Sequence, residues 1–342
     1  MSQRYTRRRP GYPSGIVISG SGGFLPSDPV DNDTLIQMHS LDTTAEWIES
    51  HIGVRQRHFA AADLATSDLG ASAARRALDD AGLDARDLDH ILLCTTTGDW
   101  TSPAAANRIQ NLIGADCPAE DKQSACASFL FGLDHGARLI ATGLKHVMVI
   151  GADIKSRFVN PGDRRLGPIF ADGGGAIVLS RGQGPAGLMG CELWSDGSRA
   201  LNLYTPAGGS AMPASAETVA KGLHSVQMTV DGHQIFSDAV EAMTELCRLV
   251  CEEARLPLDE VDCFIPHQAN LKIMKTVGQR LGIAESKTVV TIDYTGNTTS
   301  GTLPYALDVA RRTGMVFPGA RVLLTAAGAG YSGGAALYQE ST

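Results

Sequence analysis

The sequence predicts an α/β fold made of two duplicated halves, and three observations predict it. Short apolar, β-favouring runs alternate with longer stretches of helical periodicity. The runs are apolar along their whole length, as in strands covered on both faces, which implies largely parallel sheets. The order of elements also repeats. Leu92 to Cys126 spans 34 residues and Phe264 to Asn297 spans 33; Cys126 to Val147 spans 21 and Asn297 to Val322 spans 25. The halves meet near residue 185, giving units over 1–185 and 186–342.

Residues 1–13 carry Arg7, Arg8 and Arg9 with no apolar stretch behind them, so they read as a frayed basic tail and not a secretory signal. Ile16 to Gly20 is a strand that ends in a Gly-rich turn, Gly20 to Gly23. Asp31 to His51 is helix-rich. Ser67 to Ala81 is an Ala-rich helix with Leu69, Ala73, Ala77 and Leu78 on one side, closed by Gly82. His90 to Thr96 is a buried parallel strand, followed by a polar loop with Pro103 and a helix from Ala104 to Ile113. Next comes Gln123-Ser124-Ala125-Cys126-Ala127-Ser128-Phe129, where Phe129, Leu133, Ala137 and Ile140 recur at helical spacing. Cys126 is thereby placed near a helix N-terminus, whose partial positive charge favours a thiolate. His146 to Gly151 is a strand, Asp163 to Ile169 a charged loop, and Phe170 to Leu179 a Gly turn feeding a strand.

The second half follows the same order. Val261 to Pro266 is a strand like that at Ile91. Asn297 opens a small-residue segment that enters a helix with Leu303, Ala306, Leu307 and Ala310. Val322 to Thr325 is a strand, and Gly328 to Gly334 with Ala335 to Tyr338 echoes the Gly turn and strand of the first half. Cys126 and Asn297 then hold equivalent places at two helix N-termini, which converge if the halves pack about a pseudo-twofold, with the loop at His267 joining them.

Composition narrows the function. Of 342 residues, 43% are hydrophobic and 19% charged, enough for a sizeable core. A net charge of -8 disfavours a general nucleic-acid binder. The seven cysteines form no CxxC pair, so reduced thiols in a cytoplasmic protein are preferred to a disulfide or zinc framework, and no metal site is expected. No apolar run reaches the length of a membrane span.

Taken singly, a cysteine among alanines is usually a small buried hydrophobe, and a lone His or Asn a turn or cap residue. Together they carry more. Ser-Ala-Cys126-Ala, Pro266-His267-Gln268-Ala269-Asn270 and Gly296-Asn297-Thr298-Thr299-Ser300 resemble the three active-site motifs of β-ketoacyl-ACP synthase III, a thiolase-fold condensing enzyme. The resemblance covers nearly all of the chain after the basic tail and includes Phe170 to Ala176 and Thr43 to Arg57. It implies a thiolase-like, five-layered αβαβα sandwich. It also implies Cys126 as the acyl-carrying nucleophile, with His267 and Asn297 as neutral donors to the enolate formed when a malonyl thioester loses CO₂. The acyl oxyanion falls to the Cys126 amide and one in the Gly328–Gly330 turn, with Ala329 matching the family's donor and Gly330 beside it.

The same resemblance implies substrates and partners: thioesters of coenzyme A or of an acyl carrier protein, no cofactor, and a homodimer. Trp47 matches the aromatic that stacks on the coenzyme A adenine, and Arg164 the cation beside it. A second family arginine falls on His51 here. The pantetheine-contacting Asn falls on His233, in the segment that includes Phe236, while Asn270 is kept. These departures point to a carrier-protein donor or an unusual coenzyme A ester. Ser102, before Pro103, matches the position that crosses the dimer to the partner's acyl pocket; its small side chain leaves room for a primer bulkier than acetyl. Lys272, Lys275 and Arg280, at helical spacing, are candidates to dock an acidic carrier, against the plainer reading of a solvated helix face. The resulting expectation is decarboxylative condensation in fatty-acid initiation or polyketide priming. One alternative is acyl transfer from Cys126 to a hydroxyl or amine, with His267 as general base. Another is a silent partner subunit, disfavoured by the presence of Cys126.

Overall fold

The computed structural model describes residues 14–342, so the tail expected at 1–13 lies outside the described residues. The first half contains strands β1 (Ile16–Phe24), β2 (His90–Cys94), β3 (Ala119–Lys122), β4 (His146–Ile154) and β5 (Asp172–Arg181). After a short helix at Asn32–His39 come α1 (Ala45–Ile52), α2 (Thr66–Ala81), α3 (Ala105–Ile113) and α4 (Ser128–Ala141). The second half contains β6 (Gly187–Ser195), β7 (Cys263–Pro266), β8 (Arg321–Gly328) and β9 (Ser332–Gln339), with α5 (Gly232–Ala254), α6 (Leu271–Leu281) and α7 (Thr302–Arg312).

The first sheet runs β1-β5-β4-β2-β3 and the second β6-β9-β8-β7. Pair by pair the directions agree. β1/β5 and β5/β4 are antiparallel and β4/β2 is parallel; β6/β9 and β9/β8 are antiparallel and β8/β7 is parallel. Even the fifth strand has a remnant. Ala119 of β3 pairs with Ile91, and the matching Phe264 makes an isolated parallel bridge to Thr288. The duplication is therefore structural. The expectation of largely parallel sheets is corrected: both are mixed, because the chain from β4 to β5 and from β8 to β9 returns by a loop and not by a helical crossover.

Three apolar clusters stack the molecule into five layers. α4 and α7 form the middle one, with Phe129, Leu133, Leu303 and Leu307 packed between Val147 and Ile177 of one sheet and Val322 and Ile265 of the other. α2 and α3 cover the outer face of the first sheet, and α5 and α6 that of the second. The αβαβα sandwich is what buries both faces of the apolar strands.

Two predicted Gly turns are strand. β1 continues through Gly20 to Phe24, and Gly173 to Gly175 lie inside β5. The glycines of β1 are there because α2 rides directly on the strand. A Cβ on Gly20 would sit 2.3 Å from the Ala77 carbonyl oxygen, and one on Gly22 would sit 2.5 Å from that of Ala73. No helix among the described residues is long and apolar enough to cross a membrane.

Candidate active site

Cys126 does not lie in α4 but in the 3₁₀ turn Ala125–Ala127 just before it. That turn is held by Ser128, whose hydroxyl accepts from the Ser124 amide at 2.7 Å and donates to the Ala125 carbonyl at 2.6 Å. Ala125 takes a left-handed φ of 50°. The turn is pressed against the end of β8. A Cβ on Gly328 would lie 2.6 Å from the Cys126 nitrogen and 3.1 Å from its Cβ, so this residue has to be glycine for the two segments to meet. The Cys126 amide thus stands beside the Ala329–Tyr331 turn that carries Ala329 and Gly330.

His267 follows β7, its amide bonded to the Thr325 carbonyl of β8 at 2.8 Å. Its loop is locked by the next residue. Gln268, fully buried, donates to the Pro266 and Val289 carbonyls and accepts from the Thr291 and Ile292 amides. The His267 Nδ1 lies 2.7 Å from the Thr302 hydroxyl of α7, which leaves Nε2 as the ring nitrogen open to the cavity. Asn270 caps α6 through its Oδ1 and donates its Nδ2 to the His51 carbonyl of α1.

Asn297 is pinned across the molecule. Its amide donates to Ile169 and its carbonyl accepts from Ala171. Its side-chain Oδ1 accepts from the Thr299 amide at 2.8 Å, so the NH₂ is the end offered to the cavity.

The repeat equates Cys126 not with Asn297 but with Ser300, which corrects the expected equivalence. Ala125 and Thr299 share the left-handed φ, at 50° and 56°. Ser128 and Thr302 open the two central helices, and each hydroxyl lies within hydrogen-bond reach of the carbonyl three residues back. Asn297 lies three residues earlier, opposite Gln123. Ser300, in the place of Cys126, is tied to buried Asp153 by its amide at 3.0 Å and its hydroxyl at 2.5 Å. Asp153 also accepts from Thr95, Thr96 and Thr97. The second half thus holds a polar anchor where the first half holds the Cys126 thiol.

A cavity of about 610 Å³ brings Cys126, His267 and Asn297 together with Trp47, His233, Phe236, Asn270, Gly328 and Ala329. Most of its wall is apolar, and residues that the sequence reading gave no role at the site, including Leu166, Phe170, Leu203 and Met228, line it. Phe170 had a usable signal, since it adjoins the Gly-rich segment; its backbone bridges that of Asn297. Leu203 and Met228 pair across a two-residue ladder with nothing in local sequence to mark it.

Several candidates lie off this wall. Arg164 is not part of it, whereas Arg165 is; the Arg164 guanidinium sits 5.9 Å from the Trp47 ring centroid and 3.5 Å from Asp42. His51, by contrast, is on the wall and stacks on Trp47, centroids 4.5 Å apart at 11°. Ser102 is on an exposed loop, and Lys272, Lys275 and Arg280 are on the exposed face of α6. Lys275 pairs with Glu285 at 3.4 Å.

Burial dominates the electrostatics. It pushes the Cys126 thiol up to about 12, against the opposing pull of the Lys155 cation. Burial thus works against the thiolate that the helix terminus favours. Burial also pushes His267 down to about 3, so its imidazole is neutral at physiological pH.

A half-buried cysteine at a helix entrance, a neutral imidazole and an oriented amide, drawn from both halves of a five-layered sandwich, define a condensing enzyme of the thiolase fold. Comparison with known proteins agrees. Residues 121–197 match the 3-oxoacyl-[acyl-carrier-protein] synthase III family, and residues 251–339 match that family's C-terminal region. The chain is 40% identical to the β-ketoacyl-[acyl-carrier-protein] synthase III of Desulfitobacterium hafniense over 95% of this chain and 98% of that one. It is 41% identical to that of Solibacter usitatus over 94% and 98%. Among solved structures, the Aquifex aeolicus 3-oxoacyl-[acyl-carrier-protein] synthase III superposes with a TM-score of 0.87 at 32% identity, covering 95% of this chain and all of that one. The priming β-ketosynthase of the R1128 polyketide pathway superposes at 0.88 with 29% identity, covering 98% of each. The chain belongs to the 3-oxoacyl-[acyl-carrier-protein] synthase III family.

Proposed function

We propose that the chain loads an acyl group on Cys126 and condenses it with a malonyl thioester of an acyl carrier protein. The observation that carries the reading is the meeting of Cys126, His267 and Asn297 on one cavity, with the imidazole neutral and the Asn297 amide turned to present its donors.

The Cys126 sulfur attacks the carbonyl of an acyl thioester. The bond to the donor sulfur breaks, and the proton lost by Cys126 is balanced by the one gained on the departing thiol. The oxyanion is held by the amides of Cys126 and Ala329. A malonyl thioester then enters and its carboxylate leaves as CO₂. The electron pair moves onto the thioester oxygen, where the His267 Nε2–H and the Asn297 NH₂ receive it; each such donor lowers a barrier by about 3 kcal/mol. The resulting carbanion attacks the acyl-Cys126 carbonyl and expels the sulfur, which takes back a proton. Thioesters of coenzyme A or of the carrier are substrates here, and the chemistry calls for no cofactor.

Trp47 already carries His51 on its face and Arg164 over its ring, which favours a carrier-bound donor over a nucleotide that would have to displace them. A homodimer is supported by β3, which pairs with β2 on one side and forms the edge of its sheet on the other. Ser102 sits on the nearby exposed loop and would reach the partner's cavity.

The test is direct. Incubating the protein with a panel of acyl donors should add the acyl mass to Cys126, and malonyl-carrier should then yield the β-ketoacyl product and CO₂. Loading without condensation, retained in Asn297→Ala and accompanied by transfer to a hydroxyl or amine, would replace condensation with simple acyl transfer.

A further inference from the structure

We propose that Thr302 is a positioning residue that fixes His267 in the tautomer protonated on Nε2. The inference rests on the condensation reading and deepens it, because a donor to the enolate must carry its proton on the nitrogen that faces the cavity.

The Thr302 hydroxyl has one proton and two acceptors within reach: His267 Nδ1 at 2.7 Å and the Thr299 carbonyl at 3.1 Å. If the proton goes to Thr299, Nδ1–H must donate to Thr302 and Nε2 presents a lone pair to the cavity. A lone pair would repel the charge that decarboxylation builds. If the proton goes to Nδ1, Nε2–H faces the cavity as a donor. The shorter contact is the one to Nδ1. Thr302 and His267 are both buried, so water does not compete for this bond.

The duplication supplies an internal control. Ser128 occupies the place of Thr302 in the first half, and the strand register sets Cys94, which has no imidazole to offer, in the place of His267. There the hydroxyl keeps a backbone bond of 2.6 Å to the carbonyl three residues back. Where the imidazole is present, the corresponding bond is 3.1 Å. The hydroxyl has been drawn from the carbonyl toward the ring. Thr299 does not lose its place as a result, because its amide is held by Asn297. One short segment therefore orients both donors: the Thr299 amide turns the Asn297 side chain, and the Thr302 hydroxyl sets the His267 proton.

The experiment uses the full chain labelled with ¹⁵N-histidine, together with Thr302→Val and Thr302→Ser. The His267 signals are assigned by their loss in His267→Asn. The wild type should show a protonated Nε2 and an unprotonated Nδ1. Cys126 loading and CO₂ release from malonyl-carrier are read on the same samples. In Thr302→Val, condensation should fall about 100-fold further than loading does, the loss expected for one misdirected donor. Thr302→Ser, which keeps the hydroxyl, should restore condensation to within a few-fold. A wild-type spectrum with the proton on Nδ1 would overturn the proposal, as would a Thr302→Val enzyme whose condensation falls no further than its loading. If Thr302→Val does not fold, the wild-type spectrum and Thr302→Ser still decide. If the wild type loads Cys126 but releases no CO₂, the condensation reading fails by itself, and the nitrogen spectrum still upholds or overturns the tautomer.

Discussion

Gly328 shows how much one missing side chain can hold. Its φ of −150° is open to any residue, so strain is not the reason for glycine here. The reason is contact: the nearest atom a Cβ would meet is the Cys126 backbone nitrogen, at 2.6 Å, and a backbone atom cannot rotate away. Gly328→Ala should therefore shift the Cys126 turn, and a displacement near 1 Å at a reacting centre costs about 100-fold in rate. Loading of Cys126 followed by mass spectrometry should show that loss with the far-UV circular dichroism unchanged; normal loading would dismiss the contact. The thiol itself makes a second prediction. With Cys126 pushed up to about 12, alkylation by iodoacetamide should keep rising with pH through the range 7–9, because the thiolate fraction grows with every step below that value. A plateau near neutrality would mean a resting thiolate. His267 makes a third. Folded, it protonates near 3; unfolded, near the ordinary 6.5. Between those values the unfolded chain binds the extra proton, so its stabilising contribution is complete above the unfolded value and is lost as pH falls. Urea midpoints from pH 7.5 down to 4.5 should drop more steeply for the wild type than for His267→Asn.

At the scale of elements, α6 is where the carrier protein would arrive. Its N-cap Asn270 and its Ile273 line the cavity, while Lys272 between them points outward. Lys275 is already engaged with Glu285, which leaves Lys272 the better placed of the two to meet an acidic partner. Lys272→Glu should raise KM for malonyl-carrier about tenfold, since rim charges act mainly on encounter. It should leave KM for a malonyl-pantetheine analogue, which has no protein to dock, unchanged; an equal rise in both would point to damage at the cavity. Elements also differ in how legible they are in the sequence. Strands such as His90–Cys94 and Arg321–Gly328 announce themselves, because burial on both faces demands unbroken apolar runs. The helix over Thr66–Ala81 does so through its periodicity and its Gly82 cap, at a φ of 65°. The trio Cys126, His267 and Asn297 on the cavity wall is legible because three short motifs stand in one order. What stays hidden depends on partners distant in sequence. Gly20 and Gly173 read as turns because the segments that need their missing side chains cannot be seen locally. β3 escapes notice because Ala119–Lys122 has polar residues and an edge position. Equating Asn297 with Cys126 follows residue counts, and only the backbone angles of Ala125 and Thr299 show that Ser300 is the true counterpart.

For the whole molecule, the question is whether two halves with matching topology are two folding units. The central layer says they are not. α4 comes from the first half and α7 from the second, and each is packed between both sheets in one continuous cluster that joins Leu133 and Val149 to Leu307 and Leu324. The active site is shared in the same way: Cys126 meets Gly328, Asn297 is pinned by Ile169 and Ala171, and Ser300 is anchored on Asp153. Cutting the chain near residue 185 would strip each central helix of one of its two covers and expose the inner face of each sheet. A surface of that size is incompatible with an isolated soluble unit. Residues 1–185 and 186–342 expressed separately should each lack near-UV circular dichroism and dispersed amide resonances, and the intact chain should unfold in urea in one transition seen alike by tryptophan fluorescence and far-UV signal. Two separated transitions, or one half that folds alone with native dispersion, would show that the duplicated units kept independent cores. The physical argument runs against it, because the duplication placed α4 and α7 between the copies, where each half completes the other.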